Sequence, residues 1–406
     1  MAITFPVSPT NGQTFTSGNK TWQWDGTTWL AYGASLSPTV LKVDAANARV
    51  GVNNQSPAYA LDVNGTIEGT QFLQGTDYLS PYQGFRNKVI NGNMSVWQRG
   101  TSVAVSTLGY TADRWFHQSY NGATISRQPT SDTSVLPNVQ YCARVQRNSG
   151  VTSTNFMYFT QSMETQESIK VSGKTITLSF YARKGANFSA TSNAFKAELF
   201  YGTGTDQNMI FGYTGQAQLF TSTFTLTSSW VRYSVTATIP VTSTEITPLF
   251  GYTPTGTAGA NDYFEITGVQ LEEGSVATPL EQRPIQQELA LCQRYYEKSY
   301  ELATVPGTTA ISGAGVQIIT ATSDPYGNVQ MALRFAVPKR TKSYTVFTWD
   351  ESGTASTWAY GRSGVSGTST AITDLYAETS FRIYVPVGVA WTAALIVGHW
   401  AVSAEL

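Results

Sequence analysis

The sequence predicts an all-β, multi-domain chain, and three observations lead there. Charged residues make up only 13% of the 406 residues, about half the usual share of ~25%. Aromatic residues reach another 13%, with 10 Trp and 22 Tyr; aromatic and β-branched side chains suit a pleated, half-buried surface. Runs that alternate apolar and polar with period two recur along the chain, separated by Gly, Asn and Ser clusters. So many aromatics supply material for cores, which separates this low-charge chain from a disordered one. Its length suits roughly two to four domains.

Residues 1–33 read as a small module. Trp22 and Trp24 alternate into an Asp25-Gly26 turn, and Trp29 stands on the return strand. A module this small can hardly bury three Trp alone, so Trp22, Trp24 and Trp29 are expected to dock on another chain. Residues 34–80 are thin and repetitive: VLKVD at 40–44 resembles ALDVN at 60–64. Short strands of this kind are stabilised by stacking or by intertwining with sister chains. Residues 81–282 hold clean alternations at 175–181, 221–226, 230–235 and 264–271, spaced as in a jelly-roll β-sandwich. Residues 283–300 read as one short connecting helix. Pro284 suits its first turn, and Ile285, Leu289, Cys292 and Tyr296 form one apolar stripe for domain or interchain packing. Residues 301–406 return to strands, with alternation at 329–335 and 381–385, and read as a smaller C-terminal β-sandwich.

Several functions are disfavoured. Net charge is −1 with no Lys/Arg stripe, so nucleic acid is an unexpected partner. No run approaches ~18 apolar residues, so membrane insertion is not expected. The N-terminal MAITFPVSPTNGQTF lacks the basic and apolar regions of a secretory signal. Only two His, His117 and His399, and two Cys, Cys142 and Cys292, exist. They offer no zinc-ligand spacing, and there is no G-x-S-x-G elbow, P-loop or dinucleotide fingerprint. No metal, cofactor or catalytic residue is expected. Paired carboxylates of a glycosidase are the serious alternative, from Asp113, Glu265, Glu272 and Glu273. Adjacent Glu272 and Glu273 would face opposite sides of a strand, which makes a poor pair.

Sugar binding has better material. Aromatic rings stack on the apolar faces of sugars while polar side chains bond to their edges. The stretch 349–362 holds two Trp in a Gly/Ser/Thr-rich region without clear strand period. It supplies the candidates Trp349, Asp350, Trp358, Tyr360 and Arg362, with Tyr326 nearby. Trp97, Tyr110 and Trp115 are read as core of the larger sandwich.

Seven stretches carry a resemblance. Residues 86–101, RNKVINGNMSVWQRGT, resemble the opening of a module common in bacteriophage tail-fibre proteins, where YTADRWF follows, here intact at 110–116. The module's closing segment is matched by VQLEEGSVATPLE at 269–281 and ELALCQRYY at 288–296, with Leu280 where an aromatic is usual. FPVSPTNGQTF at 5–15 is similar to modules of cyanophage structural proteins. VGVNNQSP at 50–57 with LDVNG at 61–65 looks like an element of tail-fibre shafts. The match is loose over 1–80 and good over 84–300, and residues 301–406 match nothing nameable. The resemblance implies a homotrimeric tail fibre in the virion, synthesised in a bacterial cytoplasm. Residues 1–33 would anchor it to tail or baseplate proteins, 34–80 would form a thin shaft, 81–282 a carbohydrate-binding-module-like jelly roll, and 301–406 a receptor-binding tip for host polysaccharide. Two further readings stay open: an architectural baseplate or fibre component docking another virion protein, and a glycan-degrading tailspike.

Overall fold

The computed structural model describes residues 4–18, 20–32, 41–44, 47–53, 56, 60–63, 72–74, 77–79, 85–106, 108–119, 122–132, 134–309, 316–321, 323–362, 365–388 and 394–406. The chain divides into two compact units, Met1–Pro81 and Tyr82–Leu406.

In the first unit, β1 (Thr14–Ser17), β2 (Lys20–Trp24) and β3 (Trp29–Tyr32) form an antiparallel meander. The Asp25 carboxylate accepts the N–H groups of Thr27 and Thr28 at 2.8 and 2.7 Å, closing the turn foreseen at Asp-Gly. The ring of Phe5 lies 5.3 Å from each of Phe15, Trp22 and Trp29. The hairpin therefore gathers its aromatics on a residue outside its strands. Trp22 is buried, while Trp24 and Trp29 are half-buried. Next come β4 (Leu41–Asp44), β5 (Arg49–Val52) and β6 (Leu61–Val63). The two similar stretches flank β5, β4 antiparallel and β6 parallel to it. A hairpin of β7 (Phe72–Gln74) and β8 (Asp77–Leu79) completes the unit. Positions 54, 55, 57, 64 and 65 of the shaft-like element lie outside the described residues.

The second unit opens with a β-sandwich of twelve strands in chain order: β9 (Ser102–Val105), β10 (Leu108–Tyr110), β11 (Phe116–Gln118), β12 (Ala123–Pro129), β13 (Tyr141–Arg147), β14 (Met157–Thr160), β15 (Thr175–Lys184), β16 (Ala194–Gly202), β17 (Ala217–Thr225), β18 (Val231–Thr238), β19 (Glu245–Tyr252) and β20 (Tyr263–Glu273). They form two six-stranded sheets, β10-β11-β14-β19-β16-β17 and β18-β15-β20-β13-β12-β9. The single helical turn α1 (Thr165–Ser168) follows β14. Between the sheets lies an aromatic core in which Trp115 stacks on Phe159 at 4.7 Å, alongside Phe180, Phe195, Phe250 and Phe264. Strand β20 shows how sequence sets the register. Phe264 and Ile266 face the core, then Val269 and Leu271 do, so the period slips by one residue at Gly268. Gly268 has φ of 59° and the register with β15 shifts there, as at a β-bulge.

Helix α2 (Ile285–Gln293) is shorter than the 283–300 that the apolar stripe predicts. Tyr296 is not helical: it opens β21 (Tyr296–Lys298), which pairs with the last strand of the chain. That pairing outweighs local helical preference. The stripe changes with it. Ile285 is 53% exposed and Leu289 half-buried, whereas Glu288 and Cys292 face inward, with Tyr295 buried just beyond the helix.

The remaining strands are β22 (Gln317–Ala321), β23 (Asn328–Arg334), β24 (Thr345–Trp349), β25 (Thr357–Arg362), β26 (Val365–Thr370), β27 (Ile372–Ala377), β28 (Ser380–Pro386) and β29 (Ala394–Ser403). The apolar β29 is the spine. Its first half pairs with β22 and β25, its second half with β21 and β24. The sheet β23-β28-β27 shares with it a core of Trp358, Phe381, Ile383, Ile396 and Trp400. The protein is thus all-β, with sandwich-like packing in both parts of this unit. Among the described residues no helix is long and apolar enough to cross a membrane.

Candidate functional site

Residues 86–101, 110–116, 269–281 and 288–296, four of the stretches that carry the resemblance, bond to one another within the second unit, in part where the sandwich meets β21 and β29. Arg114 donates to the Glu405 carboxylate and, at 2.6 Å, to the Ser162 carbonyl, with its guanidinium 3.5 Å over the Tyr295 ring. Arg99 pairs with the same Glu405 at 3.1 Å and lies 3.8 Å over Tyr296. Gln98 donates to Asp113 at 2.5 Å and to the Tyr296 carbonyl at 2.7 Å. Glu281 accepts the N–H groups of Phe85 and Asn87 at 2.6 and 2.8 Å. Burial raises the Asp113 carboxyl above its usual range, and Arg99 opposes that shift. Asp113 and Arg114 do not pair with each other. These groups hold structure together: Gln98, Asp113 and Arg114 are buried, and each named group is engaged by protein partners.

The carboxylates weighed for glycosidase chemistry are similarly engaged. Glu265 is fully buried between Arg144 and Arg183. Glu272 accepts from Thr278 and Gln270, and Glu273 pairs with Lys174. Glu272 is buried and Glu273 exposed, on opposite sides of β20. Cys142 and Cys292 are free and buried, and burial pushes both thiols up. Among the described residues, no group of three or more His, Cys, Asp or Glu is placed to hold a metal ion.

The candidate sugar contacts divide sharply. Trp358 lies on β25, not in a loop, and is fully buried; its Nε1 donates to the His399 carbonyl at 3.1 Å. Its ring fills the space over Gly398, where a Cβ would approach to 2.5 Å. It is core. The strand escapes notice because Trp358-Ala359-Tyr360-Gly361 alternates large with small residues rather than apolar with polar ones. Asp350 is also buried: its carboxylate accepts from the N–H groups of Ser352 and Thr354 at 3.0 and 2.8 Å, and so shapes the turn after β24. Tyr360 is half-buried on β25, and the Arg362 side chain lies outside the described residues. Tyr326 is 87% exposed in the turn before β23.

Trp349 keeps its place as a candidate, with a neighbour the sequence reading passed over. Phe347 and Trp349, two apart on β24, project to one face with ring planes 20° apart and centroids at 6.1 Å. Phe347 is 44% exposed. Trp349 is braced from behind by Tyr300, whose ring stacks on His399 at 3.8 Å. Beside the pair runs a cleft of about 160 Å³, lined also by Thr348, Ser356 and Thr373. Two near-parallel rings beside hydroxyl groups can accept the apolar face of a sugar and bond to its edge. The i, i+2 spacing of Phe347 and Trp349 was the available signal. A larger cleft of about 350 Å³ lies among Phe85, Lys88, Gln166, Arg283, Arg294 and Tyr295. Its charges are already matched, Arg294 by Glu164 and Arg283 by Glu281 and Glu288.

No protein-family model and no curated protein matches this chain. Among solved structures, it is similar to the enzymatically active domain of tailspike protein 4 of bacteriophage CBA120, at 12% identity and a TM-score of 0.28. That match covers 47% of this chain and 22% of that one, so this chain spans about a fifth of the tailspike domain. It is similar also to the C-terminal family 22 carbohydrate binding module of Clostridium thermocellum Xyn10B, at 13% identity and a TM-score of 0.28, over 41% of this chain and 91% of that one. TmCBM61, in complex with β-1,4-galactotriose, gives 13% identity and a TM-score of 0.28 over 47% and 99%. At these values none of them fixes a role for this chain.

Proposed function

We propose that this chain is a non-enzymatic structural subunit of a tailed-phage fibre that binds host-surface glycan through its C-terminal strands. The observation that carries glycan recognition is the half-exposed Phe347–Trp349 pair beside a hydroxyl-lined cleft. The fibre assignment, with its homotrimer and its N-terminal anchoring through Trp22, Trp24 and Trp29, rests on the resemblance of residues 86–101, 110–116, 269–281 and 288–296. The absence of enzymatic activity is supported by the engagement of Asp113, Glu265, Glu272 and Glu273 in structural bonds.

The test is binding of the labelled, full-length protein to a panel of permissive host cells, competed by soluble host glycan. Phe347→Ala and Trp349→Ala should each weaken binding by roughly tenfold or more, as loss of an aromatic anchor does. Undiminished binding by both variants would remove the site. An architectural role has one observation of its own: Ile318 and Leu375 are 63% and 67% exposed on the C-terminal strands, apolar surface that a second virion protein could cover. Failure of the intact protein to bind any permissive host, with a virion protein captured instead, would favour that role.

A further inference from the structure

The outer face of the sheet β18-β15-β20-β13-β12-β9 carries a charge arrangement that the glycan reading above does not use. Arg183, Glu265 and Arg144 stand side by side on β15, β20 and β13, each Arg in direct register with the Glu. Glu265 has no exposed surface. Its Oε1 accepts from Arg144 Nε and Nη2 at 2.9 and 2.7 Å, and its Oε2 accepts from Arg183 Nε at 2.5 Å. One carboxylate thus orients two guanidinium groups and leaves one positive charge over. Each guanidinium also rests on an aromatic ring, Arg144 at 4.1 Å from Tyr263 and Arg183 at 4.6 Å from Trp230.

We propose that Arg144 and Arg183 form a clamp for an oxyanion, the carboxylate or phosphate group of an acidic polysaccharide. Both side chains are 26% exposed. Among the described residues, hydrogen bonds to other protein groups engage neither Nη of Arg183 nor Nη1 of Arg144. Those N–H groups are the paired donors that match a carboxylate or phosphate. Glu265 and the two rings fix the guanidinium groups beforehand, so binding an anion costs little additional ordering. The clamp is separate from the β24 surface, so the two sites stand or fall independently.

The experiment measures retention of the intact protein on three immobilised polymers: a polyuronate, its methyl-esterified neutral form, and a glycerol-phosphate polymer. Retention by at least one acidic polymer is expected, declining as salt rises; which one retains the protein distinguishes carboxylate from phosphate. Arg144→Gln and Arg183→Gln should each weaken it by about tenfold. Arg382→Gln, which removes a cation from β28, should leave it unchanged. If the glutamine variants melt early, Arg144→Lys and Arg183→Lys keep a cation against Glu265 while losing the fork, and should still bind more weakly than the parent. The clamp is overturned if neither acidic polymer retains the protein, if the ester is held equally well, or if folded Arg144 and Arg183 variants bind as the parent does.

Discussion

Around Arg114, Tyr295 and Tyr296 lie buried under guanidinium groups in a junction tied by ion pairs and hydrogen bonds. On β24, Phe347 and Trp349 carry a similar amount of aromatic surface but turn part of it to solvent. Arg99, Arg114, Tyr295 and Tyr296 belong to stretches that resemble a tail-fibre module; Phe347 and Trp349 belong to a stretch that resembles nothing nameable. Segments that hold two packed parts together tolerate little change, because buried polar groups such as Gln98 and Asp113 have a partner to lose. A half-exposed platform braced by one core contact can change its side chains at small cost to the fold. The recognisable part of this sequence therefore describes how the chain is built, and the unrecognisable part holds the better candidate for what it touches.

The largest effect should come from breaking the junction. Arg114→Ala leaves the Glu405 carboxylate, 5% exposed, without its closest partner. Removing one member of a buried pair costs about 3–5 kcal/mol, and the midpoint of urea unfolding should fall accordingly. A loss below about 1 kcal/mol would mean that Arg99 alone suffices to hold Glu405, and the contrast between the two regions would weaken. Trp358→Ala tests the other side of the comparison, since this Trp was expected on the binding surface and lies in the core. Truncating it should cost about 3–5 kcal/mol, and a change under about 1 kcal/mol would contradict its place beneath Gly398.

Much of this fold was legible in the sequence. Period-two runs located four of the twelve strands of the larger sandwich, β15, β17, β18 and β20, and the slip at Gly268 explains why 264–271 reads as strand although its core residues change parity. What was hidden depended on distant partners. Residues 294–300 look helical until β29 supplies a strand to pair with, and β29 is about 100 residues away along the chain. Trp358 and Trp349 could not be told apart locally: both sit among small polar residues, and only Gly398 and the Asp350 turn decide which faces inward. Phe347 shows only through the alternation of β24, where Thr345 and Phe347 are more exposed than Val346 and Thr348. The Arg144–Glu265–Arg183 row needed three strands in register, which no single segment displays.

A further prediction concerns pH. His117, on β11, is fully buried in the sandwich, and burial lowers its pKa from 6.5 to about 3. The unfolded chain then binds a proton that the folded chain refuses between about pH 6.5 and 3, so stability must fall as pH falls through that window. Melting temperature should decline from pH 7 to 4, and His117→Leu, which removes the titration while keeping an apolar body, should flatten that decline. An unchanged slope in the variant would assign the acid sensitivity to other groups and leave His117 a bystander.

The smallest effect on stability is expected where the effect on binding is largest. Phe347 has nearly half of its surface in water, so Phe347→Ala gives up little buried area and should change the unfolding free energy by no more than about 0.5 kcal/mol. Trp349 rests on Tyr300 and should cost somewhat more, about 1 kcal/mol. Thermal melts of the two variants beside Trp358→Ala therefore separate platform from core without any ligand in hand. If Phe347→Ala melted as early as Trp358→Ala, the β24 rings would be structural like those at the junction, and weakened cell binding by that variant would report unfolding. If it melts with the parent and loses host binding, the same class of side chain serves two purposes in one unit, set by how much of each ring neighbouring strands cover.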